Sequence, residues 1–419
     1  MDLERVAESR LQSLQIVRRL VPWRAQLAGG FGTTHGNASL ELVDVLLVLL
    51  AGFFNPLVDS QRLLEALSSQ EWMQRQTGVG RIPRSTFSDA LKRFDPEALR
   101  PLIAGLVQQC PVLVGQDRDL AGVTRPIVAA DGSYFNLAGE VAWALACRRG
   151  KGAEPQARVR LNLQLDVESF LPVEASVSGA AEGSEAAAVA RRLKAGVIYV
   201  VDRNFNHFGF IRAVLAKGSN LVLRLRKDVG FTVQAPQELS ARDRAEGILG
   251  DDQGVLSGPT SASNQGRKSR TAPPPAPPLR RVTVWDPVQQ EAVLLLTDLL
   301  DVPAYVVAAL YRRRWQIELF FRWLKCWANL KHLYSLSPQG ITLQFYVAVI
   351  ATLLLHLATG RQRVSKYSLF WLASVASGQA TWQEMEQGLA RIEREKALEK
   401  ARLARKKSRP ALGAPTLPA

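Results

Sequence analysis

Apolar residues recur every three or four positions through Leu11–Leu20, Leu40–Phe53 and Leu63–Trp72. That spacing predicts helices with one buried face. In GRIPRSTFSDALKRFDPEAL, Pro83 interrupts the pattern and Ser85 is a good N-cap, which predicts a helix from Ser88–Asp89 to about Phe94. Asp95-Pro96 then restarts the chain into another helix. From residue 126 the period changes. PIVAAD is a short apolar run ending in Asp131, and VAWALAC and RVRLNLQLDV read as two further strands. Residues 182–194 read as a helix. AGVIYVVD is a continuous apolar strand of the kind buried on both faces, ending in Asp202. A helix, FNHFGFIRAVLAKG, follows and stops at Gly218.

Beyond residue 219 the rhythm breaks. NLVLRLRK, VTVWDP and EAVLLLTDLL read as strands, and the Gly-, Ser- and Pro-rich residues 253–280 read as a mobile loop. Helices return from 303 and continue into a tail with nine basic and three acidic residues over 391–409. Strands followed by alternating helix and strand predict a mixed α/β sheet. The expected divisions are a helical DNA-binding domain at 1–120, a catalytic α/β domain in two parts at 121–218 and 301–360, a β-rich insertion at 219–300, and a C-terminal helical region with a basic tail at 361–419. Two apolar runs, 40–54 and 341–359, contain Glu41, Asp44, Gln344 and His356. They are read as buried helices rather than membrane spans.

Charge narrows the partners. Of 419 residues, 53 are Lys or Arg and 38 Asp or Glu, a net +15 that favours nucleic acid over membrane. Arg81, Arg84, Lys92 and Arg93 surround the short helix near residue 88, so that region reads as a helix-turn-helix, or else as a bundle with a solvated basic face. Cys110, Cys147 and Cys326 are far apart, which argues against a disulfide framework or a zinc site. A reducing cytoplasm is the expected compartment. The start MDLERVAESR has charge where a signal peptide needs an apolar core.

The candidate chemistry lies in three acids. Asp131 and Asp202 each end a strand, where the sheet fixes a carboxylate yet leaves it open to a ligand. Singly, each also reads as an aspartate opening a turn. The third is Glu318, in YRRRWQIELFFRWLK. Tyr311, Arg314, Glu318 and Lys325 fall within a sector of roughly 60° at about 100° per residue, with Arg322 at about +20° from Tyr311. The same stripe is compatible with an amphipathic helix bearing incidental cations. Three carboxylates from two strand ends and a helix can hold two Mg²⁺ about 3.5–4 Å apart, and Arg314 and Lys325 can grip phosphate oxygens.

At these residues the chain resembles the DDE transposases of the insertion-sequence-four family. Their Tyr-Arg-Glu-Lys signature is complete here as Tyr311, Arg314, Glu318 and Lys325. Asp131 in AADGSYF matches the first acid. Asp202 in VVDRNF matches the second, with Asn204 in place of the usual glycine and His207 nearby. The resemblance covers about residues 80–360. It implies a ribonuclease-H-like catalytic domain interrupted by the insertion, and Mg²⁺, replaceable by Mn²⁺, held by Asp131, Asp202 and Glu318. It also implies double-stranded DNA substrates (terminal inverted repeats and a target), a cut-and-paste reaction through a hairpin end, and action as a homodimer. Trp285 is the implied aromatic support for a flipped base. A DNA-binding inhibitor without activity and a nuclease serving no mobile element remain alternatives at this point.

Overall fold

The computed structural model describes residues 40–55, 58–110, 118–120, 122–137, 141–148, 155–179, 183–259, 278–326, 332–359 and 380–407, with residues 20, 23, 27, 330, 367, 370, 371, 374 and 375. The expected helix over 11–20 falls outside them, apart from Leu20.

Ten strands form one mixed sheet. They are β1 (Ile127–Asn136), β2 (Leu145–Arg148), β3 (Pro155–Asp166), β4 (Leu171–Ser178), β5 (Ile198–Val201), β6 (Asn220–Arg224), β7 (Val229–Pro236), β8 (Ile248–Pro259), β9 (Leu279–Asp286) and β10 (Glu291–Thr297). The order is β2-β3-β1-β5-β6-β10-β9-β8-β7, with β4 also paired to β3. β1 runs antiparallel to β3 and parallel to β5, and β5 runs parallel to β6. The strands of 219–300 are therefore not a separate sheet. They extend the central one through the antiparallel pairing of β6 with β10.

Alternate residues of β1 enter two different cores, as the two-residue period of a strand requires. Ile127 and Ala129 join the larger core, whereas Val128 and Ala130 join the smaller. The smaller core is closed by α6 (Glu185–Ala190) and α7 (Phe208–Ala216). Central strand β5, the run IYVV, is buried at every position, as expected of a parallel strand covered on both faces. α7 ends before Gly218, whose φ of +72° is the left-handed conformation that favours glycine at a helix stop.

The larger core lies under the remaining helices. N-terminal to the sheet these are α1 (Leu42–Phe53), α2 (Gln61–Ser68), α3 (Glu71–Thr77), α4 (Arg84–Arg93) and α5 (Arg100–Gln109). The short α8 (Ala241–Ala245) follows β7. After β10 come α9 (Ala304–Arg313), α10 (Trp315–Cys326), α11 (Pro338–Thr359) and α12 (Trp382–Lys407). Apolar α11 packs against α1, α4, α5 and β4, so both long apolar runs are core helices. α9 crosses β5, β6 and β10, whereas α10 crosses β1 and β3.

Several elements differ from expectation. α4 starts at Arg84, four residues early, because Phe87, Ala90 and Leu91 form one buried face from that turn onward. Helix α6 stops at Ala190 rather than 194. β4, β7 and β8 were not anticipated, and residues 253–259 of the expected loop belong to β8, while 279–280 belong to β9. The stretch 260–277 lies outside the described residues. The helix expected to carry the four-residue stripe is two helices, broken at Arg314. There the Arg314 and Ile317 amides donate to carbonyls three residues back, those of Tyr311 and Arg314. Such a tightened turn redirects a helix without proline.

Candidate active site

The parallel pairing of β1 and β5 positions two acids. Its register pairs Val128 with Tyr199 and Ala129 with Val200. Continued by two residues, it sets Asp131 opposite Asp202, on neighbouring strands about 4.8 Å apart. Asp131 lies within β1, where its Oδ1 accepts from the Gly132 amide at 2.8 Å. Asp202 leaves β5 and caps the next turn, accepting from the Asn204 amide at 2.7 Å. Asn204 therefore does the local work of a turn residue through its backbone, and the missing glycine leaves the acid in place.

The helix break brings the third acid across the same sheet face. α9 lies over β5 and β6, α10 lies over β1 and β3, and the chain passes from one to the other at Arg314. The Arg314 guanidinium donates to Glu318 Oε1 at 2.6 Å and sits over the Tyr311 ring at 5.7 Å. Its charge reaches Asp131 as well. Lys325 points its ammonium at the Phe135 ring of β1, 5.0 Å from the centroid. Burial raises the Tyr311 phenol above its ordinary pKa, so at neutral pH it is a hydrogen-bond donor. Arg322 is exposed on α10.

Trp285, 41% exposed on β9, lines a cavity of about 490 Å³ together with Arg224, Tyr311, Arg314 and Trp315. It thus shares this cavity with Tyr311 and Arg314. A second groove, about 660 Å³, borders the Asp202 turn and is lined by Arg203, Asn204, His207, Arg224, Arg226 and Lys227, among others. Arg224 belongs to both. The basic residues near α4 are exposed, with Arg81 paired to Glu65 at 2.6 Å and Lys92 near Asp89 at 3.6 Å.

A fourth acid escaped the sequence reading. Glu185 opens α6 and is 8% exposed, and its Oε1 meets no donor. It faces the Asp131 carboxylate. Burial first, and then the Asp131 charge, push the Glu185 carboxyl well above the usual carboxylate range. Burial first, with the charge of Asp202 adding to it, raises Asp131 too. In the sequence Glu185 stood only as an acid ahead of a small apolar run, EAAAVA, with no partner nearby.

The family described as transposase DDE domain matches residues 123–354, more than half of the chain. The chain belongs to the DDE transposase family. A protein of Sinorhizobium fredii named as a transposase, y4zB, is 27% identical over 278 residues, covering 65% of this chain and 72% of its own. A protein of Geobacillus stearothermophilus, named as the transposase for insertion sequence element IS5377, is 31% identical over 75 residues, covering 18% of this chain and 20% of its own. Among solved structures, the piggyBac transposase synaptic complex with hairpin DNA overlays 90% of this chain and 82% of its own at a TM-score of 0.38 and 11% identity.

DDE transposases as a family work with divalent metal ions. The residues of this transposase fit such an ion through their chemistry: hard carboxylate oxygens, with the Asp131 and Glu185 carboxyls raised by burial and by neighbouring carboxylate charge, and a buried Glu185 oxygen lacking a donor. The cluster is not closed around an ion. Among the described residues no three acids are drawn into a ligating group, and Glu318 spends one oxygen on Arg314.

Proposed function

We propose that this transposase is an insertion-sequence-four enzyme with a ribonuclease-H-like catalytic domain. It binds the terminal inverted repeats of its element as a homodimer, and cuts and pastes them through a hairpin end. The observation carrying this reading is the sheet register that sets Asp131 opposite Asp202, with the Arg314–Glu318 turn lying over the same strands. The sheet order supports the fold: three antiparallel strands, β4-β3-β1, continue into the parallel pair β5-β6, with one acid on β1 and one after β5. The four signature residues support the branch.

Asp131, Asp202 and Glu318 would hold two Mg²⁺, or Mn²⁺, which lower the pKa of the attacking water or 3′-hydroxyl and offset charge on the leaving oxygen. Arg314 and Lys325 grip phosphate oxygens beside the cut, with Arg322 on the approach. Arg314 is planar and already oriented by Glu318 and Tyr311, so it presents a fixed fork rather than a mobile charge. Tyr311 donates its hydroxyl. Trp285 offers a ring face to an unstacked base at the mouth of the same groove. The exposed basic residues of 81–93 and the tail over 391–409 carry sequence-independent DNA affinity, which should fall steeply with salt. In this reading 1–120 is the DNA-binding domain, 121–218 with 301–360 the catalytic domain, and 219–300 the insertion, acting at the prokaryotic nucleoid.

Sequencing the DNA on both sides of the gene identifies the inverted repeats. The purified chain is then given linear DNA ending in them, with Mg²⁺. Nicking at the repeat end is expected. Asp131→Asn, Asp202→Asn and Glu318→Gln should each abolish nicking while gel-shift affinity is kept. Nicking by any of the three at the parental rate overturns the site.

A further inference from the structure

We propose that Glu185 is a fourth carboxylate ligand of this site, sharing a divalent cation with Asp131. The inference rests on the metal-dependent reading above and adds to it a residue outside the three acids and the signature.

Glu185 is placed rigidly. It is the first residue of α6, whose N-cap Ser184 accepts from the Ala187 amide at 3.2 Å. α6 packs against β1, β3 and α7, so the acid is carried by the sheet that carries Asp131. Space has been left for it. A Cβ on Gly132 would lie 2.9 Å from Glu185 Oε1 and 2.9 Å from Arg160 Cδ, so a side chain there would displace the carboxylate.

Among the described residues no donor meets Glu185 Oε1. The nearby Arg160, 3% exposed, gives its Nε to Asn162 Oδ1 at 2.8 Å and its Nη2 to the Gly183 carbonyl at 3.0 Å. The group facing Glu185 is another carboxylate, that of Asp131, and the pair is joined by a side-chain hydrogen bond that needs a proton on one of them, the place a cation would take. Buried carboxylates are normally given donors, and one left without is costly. Two acceptors face to face repel unless something positive lies between them. A divalent cation suits hard oxygen donors on two rigid elements and resolves both problems at once. Asp202 adds its charge to the same pair from the adjacent strand.

The test is Mn²⁺ binding to the full chain without DNA, followed by electron paramagnetic resonance at fixed pH, with Ca²⁺-induced thermal stabilisation as a second readout. Glu185→Gln keeps shape and removes the charge. It should weaken Mn²⁺ binding tenfold or more and lose most of the Ca²⁺ stabilisation, while melting at or above the parental temperature in chelator. Glu185→Asp, which keeps the charge on a shorter arm, should fall between the two, and it serves if the glutamine variant fails to fold. Parental Mn²⁺ binding by folded Glu185→Gln, alongside its loss in Asp131→Asn, overturns the role of Glu185 alone. Parental binding by Asp131→Asn and Asp202→Asn overturns the metal reading itself. A Glu185 that only shares a proton with Asp131 would leave Mn²⁺ affinity unmoved.

Discussion

Gly132→Ala adds one methyl group at the point where the site is tightest. Gly132 sits in the middle of β1 opposite Asn162 and has no positive φ, so alanine fits the backbone there. The cost is steric. The new Cβ would stand 2.9 Å from both Arg160 Cδ and Glu185 Oε1, closer than real Cβ contacts come. Arg160 is pinned through Asn162 and Gly183, so the Glu185 carboxylate is the neighbour that gives way. Overpacking of this kind costs about 1–3 kcal/mol. Replacing glycine returns about 0.4–1 kcal/mol through the unfolded chain. The net loss is therefore about 0–2.5 kcal/mol, or up to about 10 °C in melting temperature at about 2–4 °C per kcal/mol. Function should suffer more if Glu185 shares a cation with Asp131 as proposed, because it is the group displaced. End nicking is expected to fall at least a hundredfold at a temperature where the variant is folded. Thermal unfolding by circular dichroism and single-turnover nicking on the same preparation settle it. A variant that nicks at the parental rate would show that the Glu185–Gly132 contact has no part in the reaction.

The buried pair Arg280–Asp251, with side chains 6% and 5% exposed, ties β8 and β9 to the Leu299 and Val302 carbonyls just ahead of α9. Asp251→Ala should cost about 3–5 kcal/mol in chemical denaturation because it strands a buried cation, and Arg280→Leu with Asp251→Leu should recover much of that. A loss under about 1 kcal/mol would show the pair to be idle. Arg314→Lys keeps a cation beside Glu318 but removes the fork, and should slow nicking tenfold or more; an unchanged rate means that Arg314 serves Glu318 alone. In chelator, stability relative to Glu185→Gln should decline as pH rises above about 4. The raised carboxyl pKa values mean that the folded state keeps protons that the unfolded chain has released, so stability is lost through that window. Parallel pH curves for the two proteins would contradict the crowding of these acids.

What could be read in the sequence follows from how local each signal is. The β5 run IYVV is apolar throughout and is central, and α7 ends at Gly218, where glycine alone adopts the turn cheaply. β8 was hidden because Asp251 and Asp252 look like loop residues. Their charges are met by Arg280 and Arg281 on the neighbouring strand, nearly thirty positions later. β7 is half exposed and β4 mixes Glu174 with its apolar residues, so neither alternates cleanly. The break at Arg314 leaves no mark either, since every residue around it is compatible with a helix, and only packing over two sets of strands requires the bend. Glu185 is the extreme case. Asp131 and Gly132 on β1 and Arg160 on β3 surround it, and each is far from it in sequence.

The placement of charge also says in what order things meet at this site. The chain as a whole carries +15, yet Asp131 and Asp202 lie side by side at the ends of two neighbouring strands. In the proposed reading, exposed basic residues on α4 and α12 draw DNA toward the protein from a distance, while a phosphate approaching Asp131 and Asp202 is repelled at short range. In that reading binding and cutting are separable. DNA can be held by the outer cations with the acids still uncompensated, and the scissile phosphate can settle only once positive charge has been added among the carboxylates.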